Sequence, residues 1–312
     1  MKPAFSVVLF TTLIGAAQGL VVMLAVAALA GAAPGPGFTS IALVVAEVLL
    51  LAGLGASFAH LGRPERAWRA AMMWRTSWLS REVIALPIFI GVVALWLIAL
   101  RLHPAQRSPL QSLLPILAIL TAGLLWWCTA MIYACLRFIA EWAHPLTHLN
   151  FVLAGLSSGL VLASALAACA GEAALLHALA PTALIATIAA LAARFVSLRR
   201  NAGLRPRSTL QTATGIQAAR LVQTSMGMSA GSFNTREFFH GETARTLGRV
   251  RLVLLLCGFA LPALLLALGL GTGAVAAYPL ALLLQVPGLV ADRWLFFAQA
   301  NHPQNLYYQV VS

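Results

Sequence analysis

The sequence predicts an all-α polytopic membrane protein with eight transmembrane helices in a bundle. The 312-residue chain is 61% hydrophobic and 9% charged, with a mean hydropathy of +0.90, whereas soluble domains contain about 25% charged residues. Runs of about 20 apolar residues recur along the whole length, and a helix of that length crosses a bilayer. We therefore expect a single integral membrane domain over residues 1–312.

The apolar runs give the positions of the spans in chain order. We predict helices at residues 5–30, 39–60, 82–101, 110–135, 150–170, 173–195, 249–271 and 273–296. The Gly- and Pro-rich stretch 31–37 ends the first span, and Gly271-Thr272-Gly273 forms a tight turn between the last two. Residues 196–248 form the long connection. Its arginines and aromatic residues predict an ordered cytoplasmic docking surface rather than a disordered tether.

Basic residues are distributed unevenly between alternate loops. With the N-terminus in the cytoplasm, 18 of the 20 Lys and Arg residues fall on the cytoplasmic side, and only Arg101 and Arg107 lie outside. The positive-inside rule then predicts a bacterial inner-membrane protein with both termini in the cytoplasm. Because this bias and contacts with lipids or a partner explain the net charge of +12, we expect no nucleic-acid binding.

The cysteines and histidines predict a chain without a metal centre. Cys128, Cys135, Cys169 and Cys257 lie inside apolar runs and form no CxxC pair, which argues against disulfides, zinc and iron–sulfur ligation. No histidine lies in the middle of a span with a histidine partner on another span, so the ligand pair of a membrane haem is also not predicted.

His60 and Glu82 are the principal candidates for chemistry. They flank the short loop between the second and third spans, so antiparallel packing places both at the same membrane face. A histidine and a carboxylate there suit quinone chemistry, which needs hydrogen-bond partners and a route for protons. The alternative is structural, with His60 capping a helix and Glu82 paired with Arg81 or Arg63. Among the neighbouring pocket candidates we include Arg63 and Gln18.

Arginines and tryptophans follow His60. Arg63, Arg66 and Arg69 recur every three residues, and Pro64 can begin a surface helix. This pattern fits either partner docking or an aromatic belt that binds lipid phosphates. For docking, we add three arginines of the long connection, namely Arg205, Arg207 and Arg236.

Glu47 is the acidic residue deepest inside a predicted span. An intramembrane carboxylate is a candidate for a proton route, although a neutral glutamic acid bonded between helices explains it equally well. It precedes His60 by 13 residues, about 20 Å along a helix, so we do not expect both to contact one quinone.

Several stretches together resemble the DMSO reductase membrane anchor (DmsC-like) family. They are His-Leu-Gly-Arg-Pro at 60–64, Ser-Trp-Leu-Ser-Arg-Glu at 77–82, Gly-Ser-Phe-Asn-Thr-Arg-Glu-Phe-Phe-His at 231–240 and Arg-Trp-Leu-Phe-Phe-Ala at 293–298. The resemblance implies a haem-free anchor on which a four-cluster iron–sulfur subunit docks, with a molybdopterin catalytic subunit beyond it. It further implies electron exchange with quinone, and His60 and Glu82 match the family's quinol-site pair.

The predicted orientation resembles one branch of this family, the anchors of cytoplasmic sulfite dehydrogenases. There, electrons would pass from sulfite to quinone. The alternative is an anchor of a DMSO or similar reductase that oxidises quinol. A transporter is less favoured, because Glu47 is almost the only polar group at the midplane.

Overall fold

A computed structural model describes residues 1–32, 34–59, 61–102, 109–205, 209–225 and 238–306, with the side chains of 109–111 and 306 excepted. Within these ranges eight helices are long and apolar enough to cross a membrane. We number them α1 (Phe5–Leu29), α2 (Pro36–Phe58), α3 (Trp78–Leu102), α4 (Pro109–Ala134), α5 (Pro145–Ala170), α6 (Ala173–Ala202), α7 (Ala244–Thr272) and α8 (Ala277–Ala298). The predicted all-α membrane fold is thus confirmed.

Several helices extend beyond the apolar runs that predicted them. The C-terminus of α6 lies seven residues past the predicted end at 195, and α7 begins at Ala244 rather than at 249. Such ends carry polar residues that reach the membrane surface, so hydropathy alone underestimates helix length. A π-helical turn, Leu256–Ala260, interrupts α7, and Gly273 ends it with a positive φ of 73°.

The eight spans form two four-helix groups. In the first, α1 packs against α2 and α4, and α3 packs against α4 and α2. The second repeats this pattern, since α5 packs against α6 and α8, while α7 packs against α8 and α6. The two groups meet mainly where α1 crosses α5.

Glycines allow this crossing. A Cβ atom at Gly19 would overlap the carbonyl group of Gly155, and one at Gly159 would overlap the backbone at Gly19. Gly15 and Gly155 lie one turn away on the same two helices. Small residues four apart let membrane helices approach backbone to backbone, where van der Waals contact holds them.

The connections α2–α3, α4–α5 and α6–α7 and both ends of the described chain lie at one end of the bundle, which we call the loop end. Trp142 Nε1 donates to the carbonyl of Phe296 at 2.9 Å. Arg200 Nη2 donates to the carbonyl of Ala140 at 3.0 Å. The His302 ring stacks on Phe238 with centroids 3.9 Å apart. The loop end is therefore one packed surface.

Candidate functional site

Glu82 lies in the buried core of the loop end. Its position near the start of α3, four residues after Trp78, places the side chain against α4, where it is 5% exposed. The Thr129 hydroxyl of α4 donates a hydrogen bond to Glu82 Oε1. A carboxyl group buried in this way can accept and release a proton without exposure to bulk water.

The arginine proposed as a structural partner for Glu82 points elsewhere. Arg81 lies over the Trp78 ring at 4.0 Å and donates to the carbonyl of Trp74 at 2.9 Å. The described part of the chain contains no ion pair between Glu82 and Arg81 or Arg63. The interpretation of Glu82 as one half of a headgroup ion pair is therefore wrong.

A small internal cavity adjoins the Glu82–Thr129 hydrogen bond. It lies between α1, α4, α5 and α8 and has a volume of about 10 Å³, room for about one water molecule. Gln18 is 2% exposed, and its Nε2 donates to the carbonyl of Ala122 at 3.0 Å. The lining residues are Phe10, Thr11, Ile14, Gly15, Gln18, Trp126, Thr129, Phe151 and Arg293. Gln18 thus lines the same cavity as Thr129, the hydrogen-bond partner of Glu82.

A buried cluster of charges lies on the far side of this cavity. Arg194 Nε of α6 is 2.5 Å from Asp292 Oδ1 of α8, and Arg194 Nη2 donates to the Asp292 carbonyl at 3.2 Å. Arg293 Nε is 3.8 Å from Asp292 Oδ2. The guanidinium of Arg293 covers the Phe151 ring at 4.0 Å. None of the three is more than 5% exposed, so two positive charges share one negative charge inside the bundle.

This cluster corrects the sequence-based assignment of two arginines. The charge count places Arg194 and Arg293 among the basic residues of the cytoplasmic side, but both lie inside helices and are buried. Their charges therefore neutralise Asp292 rather than mark the membrane surface. The available signal was Asp292 itself, an acid inside the span with the lowest mean hydropathy, 1.4. Thr129 carried no comparable signal, because threonines are common in apolar helices.

Three predicted site residues, His60, Arg207 and Arg236, lie outside the described residues. Four others, Arg63, Arg66, Arg69 and Arg205, are exposed at the loop end. The first three belong to or adjoin a 3₁₀ helix, Pro64–Met73, that has no buried residue. Arg66 forms an exposed ion pair with Glu65 at 3.9 Å, and Arg69 lies over the Trp68 ring at 5.5 Å. These side chains are accessible to a partner or to lipid.

Glu47 lies near the middle of α2 and is half-buried. Its Oε2 atom is buried without a hydrogen-bond partner among the described residues. It lines neither of the two cavities beside Arg293. Its role in a proton route stays a prediction.

The chain matches known proteins over most or all of its length. Residues 1–298 match the family model described as DMSO reductase anchor subunit (DmsC). The whole chain is also 46% identical, over 326 aligned positions, to the full length of a protein from Allochromatium vinosum that is named as a subunit of sulfite dehydrogenase.

The eight helices long enough to cross a membrane fit the anchor subunit family whose model the chain matches. The full-length relative is likewise named as a subunit of an enzyme. An anchor subunit is by definition one component of a larger assembly and holds it at a membrane. The protein is therefore a multi-pass membrane protein that belongs to the DMSO reductase anchor subunit (DmsC) family.

Proposed function

We propose that this chain is the quinone-reactive membrane anchor of a three-subunit molybdopterin oxidoreductase that oxidises sulfite and reduces quinone. The full-length relative named as a subunit of sulfite dehydrogenase supports the substrate of the complex. The buried Glu82–Thr129 pair supports a proton-handling site in this chain. This pair is the single observation on which the quinone assignment depends.

Quinone reduction takes up two electrons and two protons. The electrons arrive from a docked iron–sulfur subunit with four clusters, which receives them from the molybdopterin subunit. Protonated Glu82 supplies one proton to a quinone oxygen, protonated His60 supplies the second, and both groups then take up protons from water. The chain itself carries no haem or iron–sulfur cluster. Its cysteines, which lie in apolar runs without a CxxC pair, support this assignment.

The size of the cavity constrains where the quinone binds. At about 10 Å³ the cavity beside Thr129 is far smaller than a quinone ring. The ring therefore approaches Glu82 from the loop end. Arg63 is exposed there and can bond a quinone oxygen. Gln18 holds its place between α1 and α4 and shapes the inner wall of the site.

We assign the exposed arginines to docking of the iron–sulfur subunit. Arg66 and Arg69, with Trp68 and Trp74, present charge and apolar surface at the loop end. Arginine and tryptophan dominate the energetics of many protein interfaces. We assign to the same docking role Arg205, which is exposed, together with Arg207 and Arg236, which lie outside the described residues. The bias of the remaining basic residues supports a loop end that faces the cytoplasm of a bacterial inner membrane.

Membranes that contain the complete complex test this function. We expect sulfite to drive reduction of a quinone analogue and of a soluble dye, and expect only the first activity to require this chain. The match to the family of DMSO reductase anchors supports a second candidate, an anchor that oxidises quinol. Quinol-driven reduction of DMSO, without any response to sulfite, would replace the first proposal by the second.

A further inference from the structure

Arg293 is a buried cation whose hydrogen-bonding capacity is not met by the described residues. A guanidinium carries five N–H donors, and this one is 5% exposed. Its nearest carboxylate oxygen, Asp292 Oδ2, is 3.8 Å from Nε, beyond hydrogen-bonding distance. The guanidinium also lies over the Phe151 ring, but a ring face is a weaker acceptor for an N–H group than an oxygen atom is. Leaving such donors unpaired in a membrane protein is costly.

Two small cavities adjoin this guanidinium. The first is the cavity beside Thr129, and the second lies between α1, α5 and α8, with Thr12 and Ser158 in its wall. Each has a volume of about 10 Å³, and both are lined by Thr11, Gly15 and Arg293. That volume accommodates about one water molecule, provided that polar partners are present.

The first cavity contains such partners. Trp126, which lines it, has a buried indole N–H without an acceptor among the described residues. Thr129 and Gln18 add a hydroxyl and an amide, and each is less than 10% exposed. An indole N–H and a guanidinium both require an acceptor, which the oxygen atom of water provides.

We propose that internal water molecules bind in these two cavities to Arg293 and connect it through Thr129 to Glu82. Arg293 donates to the water in the first cavity, the water donates to Thr129 Oγ1, and Thr129 donates to Glu82. Because two guanidiniums share the charge of Asp292, a net positive charge polarises this chain of hydrogen bonds toward Glu82. The effect on turnover rests on the proposed quinone function, whereas the water site itself does not.

Gly15→Ala is the variant that tests this site. Gly15 lines both cavities, and an added Cβ atom would have only Gly155 Cα within 4 Å, at an ordinary contact distance of 3.9 Å. Alanine also favours the helix, so the variant should fold while its methyl group occupies the space of a water. Gly123→Ala on α4 is the matched control, since a Cβ atom there meets nothing within 4 Å.

The experiment compares water density and turnover in the intact complex. We expect cryo-EM maps of the wild type and of Gly123→Ala to show density within hydrogen-bonding distance of Arg293 and Thr129. Gly15→Ala should lose this density. Its sulfite-driven reduction of a quinone analogue should fall about threefold or more because the polarised chain is broken, while reduction of a soluble dye stays at the wild-type rate.

Two results would overturn the inference. Maps that resolve other internal waters but show none beside Arg293 would remove the water site. Loss of the density in Gly15→Ala with unchanged quinone turnover would remove its connection to Glu82. Failure of the proposed function looks different, because Glu82→Gln would then reduce quinone at the wild-type rate while the wild-type density remained in place.

Discussion

Glu82 combines burial, a hydrogen bond from the Thr129 hydroxyl and a position at the loop end. Glu82→Gln keeps the shape and the hydrogen bond from Thr129 but removes the titratable carboxyl group that we propose exchanges the proton. We expect quinone-coupled turnover to fall about tenfold or more, the usual loss for an acid–base group. Dye-coupled turnover should be unchanged, because the proposed complex has its molybdenum centre in another subunit.

Glu65→Gln is the matched control for this variant. Glu65 lies on the same side of the bundle, but its side chain is exposed and pairs with Arg66 at 3.9 Å. Its replacement should leave both activities at wild-type levels. Equal loss of quinone turnover in the two variants would show that surface charge, rather than a buried proton carrier, is what the reaction requires.

Asp292 holds two buried arginines, so its charge should matter for stability. Asp292→Asn leaves the guanidiniums of Arg194 and Arg293 without a counterion, which we expect to cost about 3–5 kcal/mol. Unfolding of the purified protein by denaturant in detergent measures this loss. Glu172→Gln, at an exposed acid before α6, should change little. If the two variants unfold alike, Asp292 is not the counterion of the cluster.

The sequence predicts some buried charged residues of this protein but not how they pair. Glu82 stood out because a carboxylate at the start of an apolar run is rare, and the structure places it in the core. The pairing of Arg194 with Asp292 joins positions 98 residues apart. Hydropathy gives no information on such a pairing, because it reports how apolar a segment is and not which side chains of two segments face each other.

At the scale of helices, the crossing of α1 and α5 depends on glycine. Gly159→Ala would place a methyl group against the backbone at Gly19, and overpacking of this kind costs about 1–3 kcal/mol. Gly55→Ala in α2 adds the same methyl group in open space and should be neutral or stabilising. Thermal unfolding in detergent distinguishes the two. A stable Gly159→Ala protein would mean that the two helices can separate without loss.

The contact between the long connection and the C-terminal segment should depend on pH. His302 stacks on Phe238 and meets the edge of Phe138. Burial, and secondarily the N-terminal charge, lowers the pKa of His302 below its ordinary value. A histidine held neutral in the folded protein stabilises the contact above the unfolded pKa, about 6.5. This stability is lost as the pH falls below that value, since the unfolded chain then binds more protons.

Proteolysis of the connection measures this effect. Cleavage between residues 238 and 243 should accelerate on acidification in the wild type and respond less in His302→Phe, which keeps an aromatic ring that does not titrate. Burial also lowers the pKa of His240, so part of the response should persist. An identical pH response in both proteins would exclude His302 as its source.

At the scale of the whole molecule, cysteine labelling can test the predicted orientation in the membrane. Cysteine placed at Ala32, in the α1–α2 connection, should react in intact cells with a reagent that cannot cross membranes. Cysteine placed at Thr76, at the loop end, should react only after permeabilisation. The background should lack Cys135 and Cys169, which are exposed. The reverse pattern would place the loop end in the periplasm and favour the quinol-oxidising alternative.

The eight spans could be predicted because a bilayer imposes one length and one polarity on every segment that crosses it. Their grouping into two sets of four could not be predicted from hydropathy. Nor could hydropathy predict how the two sets meet, which depends on contacts such as that of Gly19 with Gly155 between spans far apart in sequence. The loop end was predicted as a functional surface from its charges, but its inner wall, with Thr129, Trp126 and Arg293, emerged only from the packing of helices from both groups.

The buried charges also bear on how the chain is made. A ribosome delivers α6, with Arg194, to the membrane before it completes α8, with Asp292. Until then the guanidinium of Arg194 is an uncompensated charge in a lipid environment, which is expensive. Insertion of α8, the described span with the lowest mean hydropathy, supplies Asp292 as the counterion. This pairing lowers the free-energy cost of holding Arg194 of α6 inside the membrane. A chain truncated before the last helix would therefore keep an uncompensated charge at Arg194.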